Sequence, residues 1–262
     1  MIARAGQWFN EVYDFREVLW HILARDLKVK YKRTALGYLW SLLNPILQLV
    51  LLGTVFSHVV RWQVKDYTLF LFAGILVWNF FSTGLISGSY SYLENEHFIR
   101  KIYLPKLLFP LSKVLFRLID FMFSLLALSM LGWVLGYSLR PTMVWLPPAV
   151  VLLFMFVLGL SMIGAVLNVY FRDFQYLLNV GLQMLYFASP ILYPIEIMPA
   201  HLQWILKANP LCAFLILFQE IIYAGHNPSL YQWGMAAGMS LAAMGLGCLV
   251  LFSTEHKLVF RL

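Results

Sequence analysis

The groups in this sequence that could do acid–base or metal chemistry are few: twelve carboxylates and six histidines among 262 residues. Nearly all of them sit in short stretches between long apolar runs. Glu94, Glu96 and His97 stand closest together, and no set of His, Cys, Asp and Glu has the spacing of a metal site. Asp120 is the clearest carboxylate inside an apolar run. It lies one helical turn from Arg117, so the two share a face, and an ion pair would lower the cost of placing either at membrane depth. A proton relay through Asp120 is the alternative role. No GxxxxGK[ST] loop, HExxH pair or GxSxG elbow occurs. The chain therefore lacks a phosphate cradle for nucleotide hydrolysis, a zinc-peptidase pair and a hydrolase nucleophile. Cys212 and Cys248 stand in apolar surroundings without CxxC spacing and read as small core residues.

The elements that must position these groups are set by composition. Apolar residues make up 61% of the chain and charged residues 12%, and the mean hydropathy is +0.77. A soluble domain of this size cannot carry that much apolar surface, so lipid is the expected solvent. Inside a bilayer every backbone N–H and C=O must be satisfied within the protein, which leaves helices or a closed barrel. The apolar runs are continuous rather than alternating, and this selects helices. The formal charge of +7 would suggest nucleic acid for a soluble protein. Here the basic residues fall between the apolar runs and report orientation, so no nucleic acid partner is expected. The N-terminus shows no uncharged stretch ahead of a small-residue cleavage site, and no signal peptide is expected.

Across residues 8–27 the apolar positions Trp8, Val12, Phe15, Leu19, Ile22, Leu23 and Leu27 recur every three or four residues. Glu11, Asp14, Glu17, His21 and Arg25 occupy the opposite side. This pattern predicts an amphipathic helix lying along a membrane surface, with a helix packed on another domain as the alternative. The basic cluster Lys28, Lys30, Lys32 and Arg33 that follows suits anionic headgroups. Six spans are then expected at about residues 37–60, 67–89, 111–136, 143–170, 176–188 and 233–252. Pro45 should bend the first span, and Pro147 and Pro148 should sit near the start of the fourth. Residues 61–66 would form a tight hairpin. Between spans five and six, at about residues 190–228, Pro190, Pro194, Pro199, Pro210, Gly225 and Pro228 interrupt an apolar stretch and predict a re-entrant helical hairpin.

The longest polar stretch between spans is Glu94, Asn95, Glu96, His97, Phe98, Ile99, Arg100 and Lys101. It predicts a short helix outside the membrane whose protruding pair, Phe98 and Ile99, docks into a groove on a cytoplasmic partner; a solvated loop is the alternative. An even number of spans places both termini on one side. Fifteen of the 19 Lys and Arg fall on that side, so both termini are expected in the cytoplasm. The expected fold is all-α and integral to the membrane, with an interfacial segment at residues 1–36 and a transmembrane domain at 37–262. Aromatic residues make up 17% of the chain. Many suit interfacial belts, but Trp78, Phe80, Phe81, Tyr186 and Phe187 fall within spans. They either pack against core and lipid or line a pathway where aromatic faces stack on sugar rings.

Four motifs in order resemble one family. The run YKRTALGYLWSLLNP at residues 31–45 is followed by Arg172-Asp173-Phe174, then Ser189-Pro190-Ile191-Leu192-Tyr193-Pro194 with Pro199, then Asn209-Pro210-Leu211. Together they are similar to the permease subunits of ABC type-2 polysaccharide exporters, which move O-antigen, capsule or teichoic acid chains across the plasma membrane. The resemblance implies a homodimer of this chain with two copies of a separate nucleotide-binding subunit. ATP and Mg would sit on that partner, leaving this chain without catalytic residues, metal or cofactor. It also implies a coupling helix at about residues 94–104, and short helices near the extracellular mouth at the Pro-broken stretch. Spans one, two and five would line a channel between protomers, with Tyr38, Trp78, Phe81, Tyr186 and Phe187 touching the glycan. The cargo implied is a lipid-linked polysaccharide, O-antigen first and capsule or teichoic acid next, leaving across the inner membrane. Two competing readings are a drug or lipid exporter of the same superfamily, and a membrane enzyme on lipid-linked sugars using His97, Glu96 and Glu94.

Overall fold

The computed structural model describes residues 11, 13–32, 34, 36–37, 39–59, 67–134 and 140–261. Trp8, Val12, Tyr38 and the hairpin expected at 61–66 lie outside them. Uninterrupted apolar sequence folds here as helix, and no strand occurs among the described residues. In chain order the helices are α1 (Arg16–Tyr31), α2 (Leu39–Val59), α3 (Tyr67–Ser89), α4 (Ser91–Glu94), α5 (Glu96–Lys101) and α6 (Leu108–Val134). A 3-10 turn, Pro141–Trp145, leads into α7 (Leu146–Tyr170), and α8 is Phe174–Phe187. After a second 3-10 turn, Ile195–Ile197, come α9 (Ala200–Ala208) and α10 (Pro210–Gln219), which runs into a π-helical turn, Glu220–Ala224. The last helix, α11, is Leu230–Arg261. Tyr67–Ser89, Pro141–Tyr170 and Leu230–Glu255 are long and apolar enough to cross a membrane.

α3 is apolar all round, a pattern that suits either lipid or a protein interior. Its side chains from Tyr67 to Ser89 are buried almost throughout, against α6, α7 and α10. Small residues let these helices approach, as packing within a membrane requires. A methyl group on Gly159 of α7 would lie 2.4 Å from the backbone of Ala243 on α11. One on Gly247 would lie 2.5 Å from the carbonyl oxygen of Gly159. The two backbones therefore touch at this crossing.

Three features add to the sequence-based expectation. The apolar stripe of α1 packs on the protein: Leu23 is buried, and Phe15, Val18 and Leu19 rest on the core, while Trp20 and Val29 face outward. α11 continues well past the expected end at 252, because no Gly or Pro follows to stop it. The expected single coupling helix is two short helices, α4 and α5, hinged at Asn95.

The Pro-broken stretch is held together by side-chain hydrogen bonds between its segments. Asn209 caps α10, its Oδ1 accepting from the Leu211 N–H at 3.0 Å, with Pro210 at the first helical position. Its Nδ2 donates to Ser189 Oγ at 2.9 Å, and Ser189 donates in turn to the Leu185 carbonyl at 2.6 Å. Gln219 Nε2 donates to the Pro190 carbonyl at 2.9 Å. At the far end the π-helical turn stops at Gly225, whose φ of 70° is left-handed. Arg140 donates there to the Tyr223 carbonyl, and Thr142 Oγ1 to that of Ile221 at 2.8 Å.

Candidate functional site

A groove of about 850 Å³ with a mixed polar and apolar lining opens between α2, α3 and α6. Asp120 and Arg117 lie on one face of α6 as expected, with Arg117 Nη1 3.6 Å from Asp120 Oδ2. A second cation joins them from outside the helix: Lys30 of α1 donates to Asp120 Oδ1 at 2.5 Å. The sequence places Lys30 in a headgroup-binding cluster, but α1 packs so that this lysine turns back onto α6. Asp120 thus reads as the shared counter-ion of two cations. Arg117 Nε also donates to Ser87 Oγ of α3 at 2.9 Å. Further along, Asn44, Gln48, Asn79, Thr83 and Ser124 line the groove with amides and hydroxyls.

A second charged cluster joins α1 to the α4–α5 hinge. Lys113 of α6 is buried and donates to Asp26 Oδ2 and to Glu94 Oε1, each at 2.7 Å. Arg25 pairs with Asp26 at 3.0 Å and donates to Asn95 Oδ1 at 3.2 Å. Asn95 is buried, and its Nδ2 donates to the Ser91 carbonyl at 2.9 Å. These long-range partners of Glu94 and Asn95 carry no signature in the local sequence. Of the expected docking pair only Phe98 protrudes, at 42% exposure; Ile99 is 3% exposed and packs into the core. Ile99 is therefore a packing residue, because the short helix can turn only one face outward. His97, Arg100 and Lys101 are exposed, and Glu96 pairs with Arg100 at 2.8 Å. Ile102 and Tyr103, just beyond, extend the exposed apolar surface beside Phe98. Behind it, burial holds Lys106 below its ordinary range, with the Glu255 carboxylate opposing that shift.

The five expected glycan contacts separate by position. Phe187 is 69% exposed and Tyr186 is half-buried beside it, their ring centroids 5.4 Å apart. Trp78 and Phe81 are buried within the chain, Trp78 edge-on to Tyr186 at 5.2 Å and Phe81 stacked on Phe156 at 5.9 Å. Tyr38 lies outside the described residues. Phe187 shares an exposed face of α8 with Tyr176, Val180 and Met184. Among the motif residues, Arg172 and Asp173 are exposed at the α7–α8 turn. Ser189, Pro190, Asn209 and Pro210 belong to the clasp described above. Tyr193 closes it from outside, its hydroxyl donating to the Phe187 carbonyl at 2.9 Å, and Pro194 precedes the second 3-10 turn.

Comparison with known proteins follows the same elements. The ABC-2 type transporter family matches residues 17–223. The O-antigen export system permease protein RfbA of Klebsiella pneumoniae is 31% identical over 220 residues, covering 83% of this chain and 84% of its own. The protein of that name from Myxococcus xanthus is 32% identical over 223 residues, covering 84% and 85%. The polysialic acid transport protein KpsM of Escherichia coli is 23% identical over 240 residues, covering 90% and 92%. The matched region spans both charged clusters, the groove and the proline clasp, and this chain belongs to the ABC-2 type transporter family.

Proposed function

We propose that the chain is the membrane permease of an ATP-driven exporter that carries lipid-linked polysaccharide, O-antigen in the first instance, across the inner membrane. The observation that carries this reading is the alignment with O-antigen export permeases, which runs over 83% of this chain and 84% of theirs. A capsule-type polymer is the second cargo, favoured by the weaker similarity to the polysialic acid transport protein. In this reading α2, α3, α6, α7, α8 and α11 are six spans, both termini are cytoplasmic, and the clasped stretch between α8 and α11 is re-entrant. Two copies of the chain meet around a channel and work with two copies of a nucleotide-binding subunit that holds ATP and Mg.

The α4–α5 hinge is the proposed coupling element. Its outer surface, Phe98 with Ile102 and Tyr103, suits insertion into a groove of the ATPase. Its inner surface is tied to α1 and α6 through Arg25, Asp26 and Lys113, so displacement of the hinge would reach the groove through rigid helices. Phe187 and Tyr186 are the aromatic surface best placed to meet a sugar ring. Replacing residues 94–100 with a Gly/Ser linker should leave the protein in the membrane and abolish surface O-antigen, read as the long-chain ladder on gels of cell-surface polysaccharide. A normal ladder in that variant would refute the assignment.

A further inference from the structure

The groove between α2, α3 and α6 carries an uneven charge. Lys30 Nζ and the Arg117 guanidinium lie over the same ring, that of Phe116, at 5.3 and 5.2 Å from its centroid. Two cations held this close repel each other, and among the described residues one carboxylate, Asp120, pairs with both and neutralises only one. A partly buried site with a net positive charge favours an anion. Arg117 reaches Asp120 at 3.6 Å, an ion pair longer than a hydrogen bond, while Lys30 holds the carboxylate closely. A phosphate oxygen can match the guanidinium fork better than this internal carboxylate does. From that end the groove continues past Asn44, Gln48, Asn79 and Thr83, side chains able to exchange hydrogen bonds with sugar hydroxyls, set among apolar ones such as Leu51 and Phe80. The Asn79–Gln48 bond within it is 3.4 Å long, a weak contact that a hydroxyl would replace with better ones. A volume of about 850 Å³ is enough for a phosphate and its first sugars.

We infer that Lys30 and Arg117 are a seat for the phosphate of a lipid-linked saccharide, that Asp120 occupies the seat when it is empty, and that the first sugars lie along the neutral polar part of the groove. This rests on the function proposed above. A bulk anionic phospholipid shares the phosphate but has no sugars to fill the rest of the groove, so the two sources separate by experiment.

The test uses the permease with its ATPase partner in nanodiscs of zwitterionic lipid, with a polyprenyl-diphosphate disaccharide and phosphatidylglycerol as separate probes, binding being read by native mass spectrometry. Lys30→Gln and Arg117→Gln should each weaken the saccharide lipid on the order of 10-fold, the size expected for one charged hydrogen bond. Asp120→Asn, which removes the internal competitor, should tighten it several-fold, a gain that misfolding cannot mimic. Lys28→Gln/Lys32→Gln removes two charges outside the groove and should change binding less than about two-fold. Unchanged binding in Arg117→Gln, weaker binding in Asp120→Asn, or an equal loss in the Lys28/Lys32 control would overturn the seat. Phosphatidylglycerol bound as tightly, with the same dependence on Arg117, would overturn the saccharide assignment. Intact export with binding unmoved by the groove variants would sink the seat alone. Retained binding in a complex that exports no glycan would instead sink the proposed function.

Discussion

Replacing Lys113 with methionine removes a cation shared by Asp26 on α1 and Glu94 at the end of α4. The Lys113 and Asp26 side chains are only 8% and 11% exposed and meet at 2.7 Å. Deleting one partner of a buried pair costs roughly 3–5 kcal/mol, because the other charge is left unpaired. Asp26 keeps Arg25 at 3.0 Å, which offsets part of that loss. The Glu94 side chain is 46% exposed, so its share is about 0.5 kcal/mol. The expected destabilisation is therefore about 2–4 kcal/mol, or on the order of 30- to 1,000-fold in the equilibrium that docks α1. The assay is a double-mutant cycle of Lys113→Met with Asp26→Asn, following unfolding in detergent and amide exchange along α1. The double variant should be less destabilised than the two single changes added together, with a coupling of about 1–3 kcal/mol, and exchange should accelerate in α1. Additive effects, or exchange in α1 that does not move, would refute the claim that Lys113 fastens α1 to the hinge.

Four further outcomes follow from particular contacts. Gly159→Ala should sharply lower the yield of folded protein in detergent, because its methyl meets backbone that cannot move aside, whereas Gly245→Ala, with open space around it, should be tolerated. Asn209→Ala should cost about 1 kcal/mol for the lost α10 cap, and more where Ser189 also loses a partner, read as a lower thermal midpoint. Phe98→Ala should weaken co-purification of the ATPase without changing the permease's own thermal midpoint, and Ile99→Ala should lower that midpoint, since only Ile99 is buried. Lys106, held by burial below its ordinary pKa of 10.5, sheds its proton in the folded state first. Stability should rise as pH climbs through the window between its folded value and 10.5, and a Lys106→Met variant should lack that rise in thermal scans.

Much of the helix map was legible before any packing was known. The run expected at 67–89 is α3, Tyr67–Ser89, and the expected spans at 37–60 and 143–170 end within a few residues of α2 and α7. Pro147 and Pro148 enter α7 in its first turn, where their missing N–H groups are no loss. The site was only partly legible. Glu94 and Asn95 were recognisable as part of a short polar helix, but their partners Lys113 and Arg25 were not. Phe98 and Ile99 looked equivalent in sequence, and only the rotation of α5 on its neighbours made one a surface and the other a core residue.

Hydropathy and helix breakers are local properties of the chain. Sequence by itself therefore determined that this is a helical protein suited to lipid and where most of its helices run. Which charges meet is a different matter. Lys30 and Asp120 are 90 residues apart, and Asn209 finds Ser189 across three prolines. Such pairs depend on which faces the helices turn toward one another, a choice made by side-chain shape and glycine contacts throughout the bundle. Tertiary structure alone converted a headgroup lysine into a groove residue, and a row of family motifs into a clasp.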